Sequence, residues 1–186
     1  MSSQKMENYV HVLSDLHLLE PEDSFYQSVL RFIEEIPQNG DCLALAGDIF
    51  DVYVGNKTQF KEKHRPFFNA IAKACERGVS THHVEGNHDF WLQESYQTMN
   101  CPQVEVHGDF VEITRLGRTL RVEHGDLADT QDKTYLLLRR FFRSPLGKFC
   151  IDLAPGALLA VIGKTWSNQS RELKKPIQEW SETDLN

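Results

Sequence analysis

Six residues of this chain have types and spacings suited to holding and using metal ions: Asp15, His17, Asp48, Asn87, His88 and His124. Each stands just past an apolar run. Asp15 and His17 follow Val10-His-Val-Leu-Ser14, and Asp48 follows Gly47 at the end of the run from Cys42 to Ala46. Gly86-Asn87-His88-Asp89 follows residues 79–84, and His124-Gly125-Asp126 follows residues 119–123. Short apolar runs stopped by glycine read as buried strands, and open α/β sheets place their ligands beyond the strands' carboxyl ends. Carboxylate and amide oxygens with neutral imidazoles are the donors that hard and borderline divalent ions take. The economical arrangement puts Asp15, His17 and Asp48 on one ion and Asp48, Asn87 and His124 on a second, with Asp48 bridging. Two ions ~4 Å apart can clamp a phosphate, acidify a water between them and stabilise the transition state of an in-line displacement. His88, next in sequence to a ligand, is placed to donate to a phosphoryl oxygen or leaving group, so His88 and Asp48 are the candidate catalytic residues.

Taken singly, each fragment has an ordinary structural meaning. A Gly-Asp pair after a strand is most often a turn, and Asn-His-Asp is most often a helix cap. His107-Gly108-Asp109 repeats the tripeptide at His124 yet lies between two short strands, where it reads as a turn. It is set aside, as are His11, His64, His82 and His83. Four matching strand ends in order are what separate the metal reading from coincidence.

The elements that must position these residues follow from periodicity. Ser24 and Gln27 have capping-box spacing, and Phe25, Val29, Phe32, Ile33 and Ile36 recur at helical spacing before Pro37. Residues 59–77 read as one helix with Phe67, Phe68, Ile71 and Cys75 inward, stopped by Gly78. A short helix runs towards Met99, then residues 104–106, 110–114 and 120–123 read as strands, the last two joined through Leu116-Gly117-Arg118. Strand–helix alternation followed by a strand-rich stretch predicts an α/β sandwich of two sheets flanked by helices. From Leu127 the texture changes: residues 132–142 are helical, Ser144-Pro145 interrupts, 149–162 is mostly apolar and 164–186 is polar.

With 186 residues the chain is long enough for one domain with a sizeable core. Its net charge of −7 argues against a general nucleic-acid binder, which shows a basic excess. The four cysteines are far apart without C-x-x-C spacing, as reduced structural thiols are in a reducing compartment. Residues 1–8 are polar with no apolar signal core, and no run approaches the ~20 apolar residues of a spanning helix, so a cytoplasmic protein is expected.

In this order, Asp15-x-His17, Gly47-Asp48, Gly86-Asn87-His88-Asp89 and His124-Gly125-Asp126 resemble the calcineurin-like metallophosphoesterases. Within that family, Ser14-Asp-Leu-His-Leu18, Gly47-Asp-Ile-Phe-Asp51, Gly86-Asn-His-Asp-Phe90 and the pattern from Asp132 through Tyr135 and Arg139 to Pro145 resemble the UDP-2,3-diacylglucosamine hydrolases. The resemblance covers residues 10 to about 172. It implies two β-sheets flanked by helices, with a helical cap insertion at 130–170. It also implies two divalent ions, manganese as a rule, and hydrolysis of the pyrophosphate of a UDP-linked acylated sugar in lipid A synthesis. Asp132, Tyr135, Arg139, Arg143 and Ser167 are then expected at the substrate. The helix that carries Tyr135, Leu136, Leu137, Leu138, Phe141 and Phe142 with Lys133, Arg139, Arg140 and Arg143 is both apolar and basic. Such a helix can lie peripherally on the anionic cytoplasmic face of the inner membrane and hold acyl chains. As pattern alone, the same residues also suit an ordinary core helix with a basic outer face.

One part of the family pattern is absent. The family supplies two further histidines from a Gly-His-x-His motif, and no histidine follows His124 in these 186 residues. The resemblance therefore implies a single domain over 1–186 that is either C-terminally incomplete, with oligomerisation through exposed apolar surface, or a shortened relative. Three functions are expected in order: hydrolase of a UDP-linked diacyl sugar, phosphoesterase of a soluble ester, and a catalytically weak binding relative.

Overall fold

A computed structural model describes residues 9–115, 117–127 and 133–161, with the backbone alone at 134 and 135. The centre is a parallel sheet in the order β1 (Val10–Leu13), β2 (Cys42–Ala46), β4 (Ser80–Val84), β6 (Glu105–His107). Between these strands run α1 (Ser24–Glu35), α2 (Thr58–Lys63), α3 (Arg65–Glu76) and α4 (Gln93–Thr98). β3 (Tyr53–Val54) and β5 (Asp89–Phe90) pair in parallel as a two-residue ribbon, and β7 (Phe110–Arg115) and β8 (Arg118–Glu123) form an antiparallel hairpin. α5 (Lys133–Phe142) and α6 (Pro145–Leu153) complete the described elements.

β2 explains the layering. All five of its residues are buried, which a strand covered on both faces requires. Leu43 and Leu45 point into the larger core beneath α1 and α3. Cys42, Ala44 and Ala46 face the other way, against Val111, Ile113 and Val122 of the hairpin. The small residues on that face let the hairpin pack closely, so the two-sheet sandwich is present with two described strands in its second sheet. On the helical side, Tyr26, Phe50, Tyr53, Phe60, Phe67 and Phe68 form a buried aromatic cluster. Truncating one of these rings to alanine costs about 3–5 kcal/mol.

Four local expectations are corrected. The helix expected over 59–77 breaks at His64, whose φ of −99° and ψ of 17° end α2 before α3 begins. Pro66 is the cause: in a continuous helix its ring would collide with the preceding turn, whereas in the first turn its missing N–H costs nothing. α1 is capped at Asp23 rather than Ser24, and the Gln27 side chain donates to the Pro21 carbonyl instead of closing a capping box. Its inward face is Tyr26, Val29 and Ile33, leaving Phe25 exposed, because Tyr26 carries a hydroxyl that reaches the buried His64. His107 belongs to β6 rather than to the turn after it.

Candidate metal centre

The site forms where the tips of β1, β2, β4 and β8 meet, and its backbone is unusual. Asp15, His17 and Asp48 have φ of 52°, 45° and 52°. Left-handed backbone is uncommon without glycine and clusters at functional sites, where surrounding bonds hold it. Only five non-glycine residues adopt it among those described, and three of them are expected ligands. The β1 tip is laced to the β2 tip: the Asp15 amide donates to the Gly47 carbonyl at 3.1 Å and His17 to Asp48 at 3.0 Å. Two glycines make room. A Cβ on Gly47, whose φ is 80°, would strike the His124 ring, and one on Gly86 would strike the Asp48 carboxylate.

Three imidazoles face a single oxygen. Asp48 Oδ2 lies 3.4 Å from His124 Nε2, 4.0 Å from His17 Nε2 and 4.0 Å from His88 Nε2. Asp48 Oδ1 accepts the His88 amide at 2.9 Å. Two of the rings are held by their far nitrogens: His88 Nδ1 donates to the Asp51 carbonyl at 2.8 Å, and His124 Nδ1 to the Ala46 carbonyl at 3.2 Å. With those protons fixed on Nδ1, the Nε2 atoms are the ones presented to the centre. Asn87 Oδ1 stands 3.2 Å from His124 Nε2.

Electrostatics matches the geometry. Burial pushes the Asp48 carboxyl up, but the hydrogen bond and charge of His124, with the charge and amide of His88, outweigh it and hold the carboxyl below its usual range. Burial likewise pushes His124 down, and its bond to Asp48 reverses this to about 9. An ionised carboxylate among imidazoles suits a divalent cation, which on binding would take the place of the His124 Nε2 proton.

The donors divide into two triads sharing Asp48: Asp15, Asp48 and His124 in one, His17, Asp48 and His88 in the other, with all ligand atoms of a triad within 4.8 Å of one another. Two ions bridged by Asp48 fit this set. The expected grouping, Asp15 with His17 on one ion and Asn87 with His124 on the other, rests on the same shared Asp48. His88, expected at the substrate, has its Nε2 4.0 Å from Asp48 Oδ2, with its amide and ring both tied to the 48–51 loop.

The expected substrate residues are placed as follows. Arg139 donates from Nε to Asp126 at 2.7 Å and from its terminal nitrogen to Asp109 at 2.9 Å. Arg143 pairs with the Glu85 carboxylate at 3.0 Å and donates to the Glu85 and Gly86 carbonyls. Both arginines therefore anchor α5 to the loops of the centre. Asp132, Ser167 and the side chain of Tyr135 lie outside the described residues.

Asp89 is the residue whose part was missed. Fully buried, it accepts the amides of Asp48 at 3.0 Å, Ile49 at 2.6 Å, Phe50 at 3.2 Å and Gly86 at 3.0 Å. Its place directly after Asn87-His88 was the available signal.

Known proteins are similar to this chain in sequence. A family model described as calcineurin-like phosphoesterase matches residues 9–163. Over 165 residues the chain is 29% identical to a UDP-2,3-diacylglucosamine hydrolase of Stutzerimonas stutzeri, covering 86% of this chain and 65% of that one. A UDP-2,3-diacylglucosamine hydrolase of Psychromonas ingrahamii is 25% identical over 167 residues, or 88% of this chain and 66% of that one. The chain thus spans less than two thirds of the length of these relatives. A solved protein of unknown function from Aquifex aeolicus is similar at 15% identity and a TM-score of 0.46 over 73% of this chain and 72% of its own. With the family model spanning all four strand tips and the Asp48-centred donors in place, the chain belongs to the calcineurin-like phosphoesterases.

Proposed function

We propose that this chain carries the two-metal centre of a hydrolase that cleaves the pyrophosphate of a UDP-linked diacyl sugar, giving UMP and an acylated sugar phosphate in lipid A synthesis. The observation that supports it is Asp48 Oδ2 facing three imidazole Nε2 atoms at 3.4 to 4.0 Å. Asp15, Asp48 and His124, with Asn87 beside them, would hold one ion, and His17 and Asp48, with His88 beside them, the other. Bound there, two divalent ions, manganese in this reading, would neutralise phosphoryl charge and acidify water. The chain's own contribution is positional. The Asp51 carbonyl takes the Nδ1 proton of His88 and orients the ring, so that Nε2, when the ring carries its second proton, can donate to a phosphoryl oxygen or leaving group once substrate enters.

The acyl part of the reading rests on residues 130–170 as a cap within a single domain. On α5 and α6, Leu137, Phe141, Leu146, Phe149 and Leu153 are exposed. Such a face suits acyl chains, peripheral contact with the cytoplasmic face of a membrane, or self-association. No described helix is long and apolar enough to cross a membrane. Asp132, Tyr135, Arg139, Arg143 and Ser167 are proposed to contact the substrate. The relatives' names favour this substrate.

A specific observation favours a second reading, a soluble phosphoester as substrate: Arg139 and Arg143 are already engaged by Asp126, Asp109 and Glu85. The purified protein with manganese, given the acylated nucleotide sugar beside a generic soluble phosphodiester, separates the two. Hydrolysis of the acylated sugar alone supports the first, and turnover of the soluble ester alone overturns it. His88→Ala should then slow turnover with metal content unchanged; loss of metal in elemental analysis would make His88 a ligand.

A further inference from the structure

A second group of donors lies on the hairpin-facing side of the sheet. β4 reads Ser80-Thr-His-His-Val84, and strand alternation sends neighbouring side chains to opposite faces. His83 goes to the helical side, where it is buried against Tyr96. His82 goes to the hairpin side with Val84. In β6, Glu105 is the register partner of His82 and His107 of Val84, so both follow His82 onto that face.

Three atoms converge there. His82 Nδ1 is 3.3 Å from His107 Nε2 and 3.5 Å from Glu105 Oε2, and His107 Nε2 is 3.9 Å from the same carboxylate oxygen. Donors ~2.0–2.2 Å from a central ion in a tetrahedral shell are about 3.3–3.6 Å apart, close to these separations. A direct bond accounts for only part of the group. One imidazole can donate to the other, but the carboxylate is too far from His107 Nε2 for a hydrogen bond and at the limit of one from His82 Nδ1. The outer side of His82 is also arranged for ligation. Ser80 Oγ stands 3.2 Å from His82 Nε2, and a proton donated there leaves the Nδ1 lone pair facing the other two donors. Burial pushes both imidazoles down, which keeps those lone pairs free at neutral pH. The Arg115 charge also acts on His82, so the single carboxylate of Glu105 must supply the site's negative charge.

We propose that His82, Glu105 and His107 form a metal site separate from the Asp48 centre, taking one zinc-class divalent ion with its fourth position open. Two imidazoles and a carboxylate are a borderline donor set that suits zinc better than magnesium or calcium. In the described sheet β6 is the edge strand and pairs only with β4. An ion held by one residue of β4 and two of β6 ties that edge down. The reading does not depend on what the Asp48 centre hydrolyses.

The test uses the whole protein and zinc or cobalt alone. Asp48→Asn serves as the background, so that the other centre contributes little. In that background, elemental analysis after dialysis should find one zinc per chain, and cobalt should give the intense visible bands of a tetrahedral site. Adding Glu105→Gln, an exposed position whose change leaves the fold intact, should remove the zinc, the bands and the rise in Tm that zinc produces. Ser80→Ala should weaken zinc binding about ten-fold or more through the His82 tautomer. Equal zinc content with and without Glu105→Gln, or octahedral cobalt spectra in both, would overturn the site and leave a plain imidazole–imidazole hydrogen bond.

Discussion

The Asp89 carboxylate holds the backbone of Asp48 from 41 residues away, taking the Asp48 amide on Oδ1 at 3.0 Å and the Ile49 and Phe50 amides on Oδ2. Oδ1 also takes the Gly86 amide, so a single buried carboxylate fixes the loops after β2 and β4 relative to each other. Asp48 keeps its left-handed backbone because these bonds over-determine it.

Asp89→Asn should therefore cost more than its near-identical shape implies. The amide group would turn N–H donors towards backbone N–H donors and leave at least one of them buried without an acceptor. A loss of about 2–4 kcal/mol is expected, since bonds to a charged acceptor are the strong ones and an unsatisfied buried donor adds its desolvation cost. Urea unfolding measures it, with elemental analysis to follow metal content. Stability within 0.5 kcal/mol of wild type, roughly the scatter of neutral surface changes, would show that the four bonds are dispensable.

Asp48→Asn and Asp126→Asn should separate cleanly. Asp48 belongs to both donor triads, so the change removes charge from two ions and should lower manganese content and turnover together. Asp126 instead accepts from Arg139, and its replacement should reduce turnover less, with both metals retained. Equal losses at saturating manganese would count against the shared position of Asp48.

How much of this was legible in the sequence depends on the range of the contact. β2 was legible because five consecutive buried residues end in Gly47-Asp48, and the order of strand tips followed. The separations within the site were not, because the distances around Asp48 depend on left-handed backbone at Asp15, His17 and Asp48 that no side-chain pattern encodes. The break at His64 was within reach, since Pro66 stands in the sequence, but helical periodicity continues across it. The two-residue ribbon of β3 and β5 is too short to carry any period. His82, Glu105 and His107 were hidden for another reason: alternation in two strands gives a shared face only once their register is known.

Acid should weaken the fold through His64. Burial, with a smaller push from the Lys63 charge, lowers this imidazole to about 3 from 6.5, and its Nδ1 is bonded to the Tyr26 hydroxyl. The folded pKa lies below the unfolded one, so between 6.5 and 3 the unfolded chain binds a proton that the folded chain refuses. Stability is thus complete above 6.5 and falls as pH drops through this window, by up to about 1.4 kcal/mol per pH unit. Unfolding free energies at pH 7.5 and 5.5 should differ in wild type and differ less in His64→Gln. The same slope in both proteins would place the acid sensitivity elsewhere.

Arg143 distinguishes an anchoring role from a substrate-binding one. Its guanidinium pairs with Glu85 and spans to the Gly86 carbonyl, in the loop that carries Asn87 and His88. Glu85 is buried, and burial pushes its carboxyl up while the Arg143 charge pulls it back. Removing the arginine leaves that carboxylate buried without its cation, and breaking such a pair costs about 3–5 kcal/mol unless the acid takes up a proton. Arg143→Ala should accordingly lower Tm and loosen α5, whose last turn is also held by Trp91 donating to the Phe142 carbonyl at 2.9 Å. Arg143→Ala combined with Glu85→Gln should recover much of the lost stability, because no unpaired charge remains and the amide oxygen can still accept from the buried Leu92 N–H. Were Arg143 chiefly a phosphate contact, the single change would leave Tm near wild type and raise KM, and the second substitution would restore nothing. Thermal melts and steady-state kinetics on the two variants decide between these outcomes.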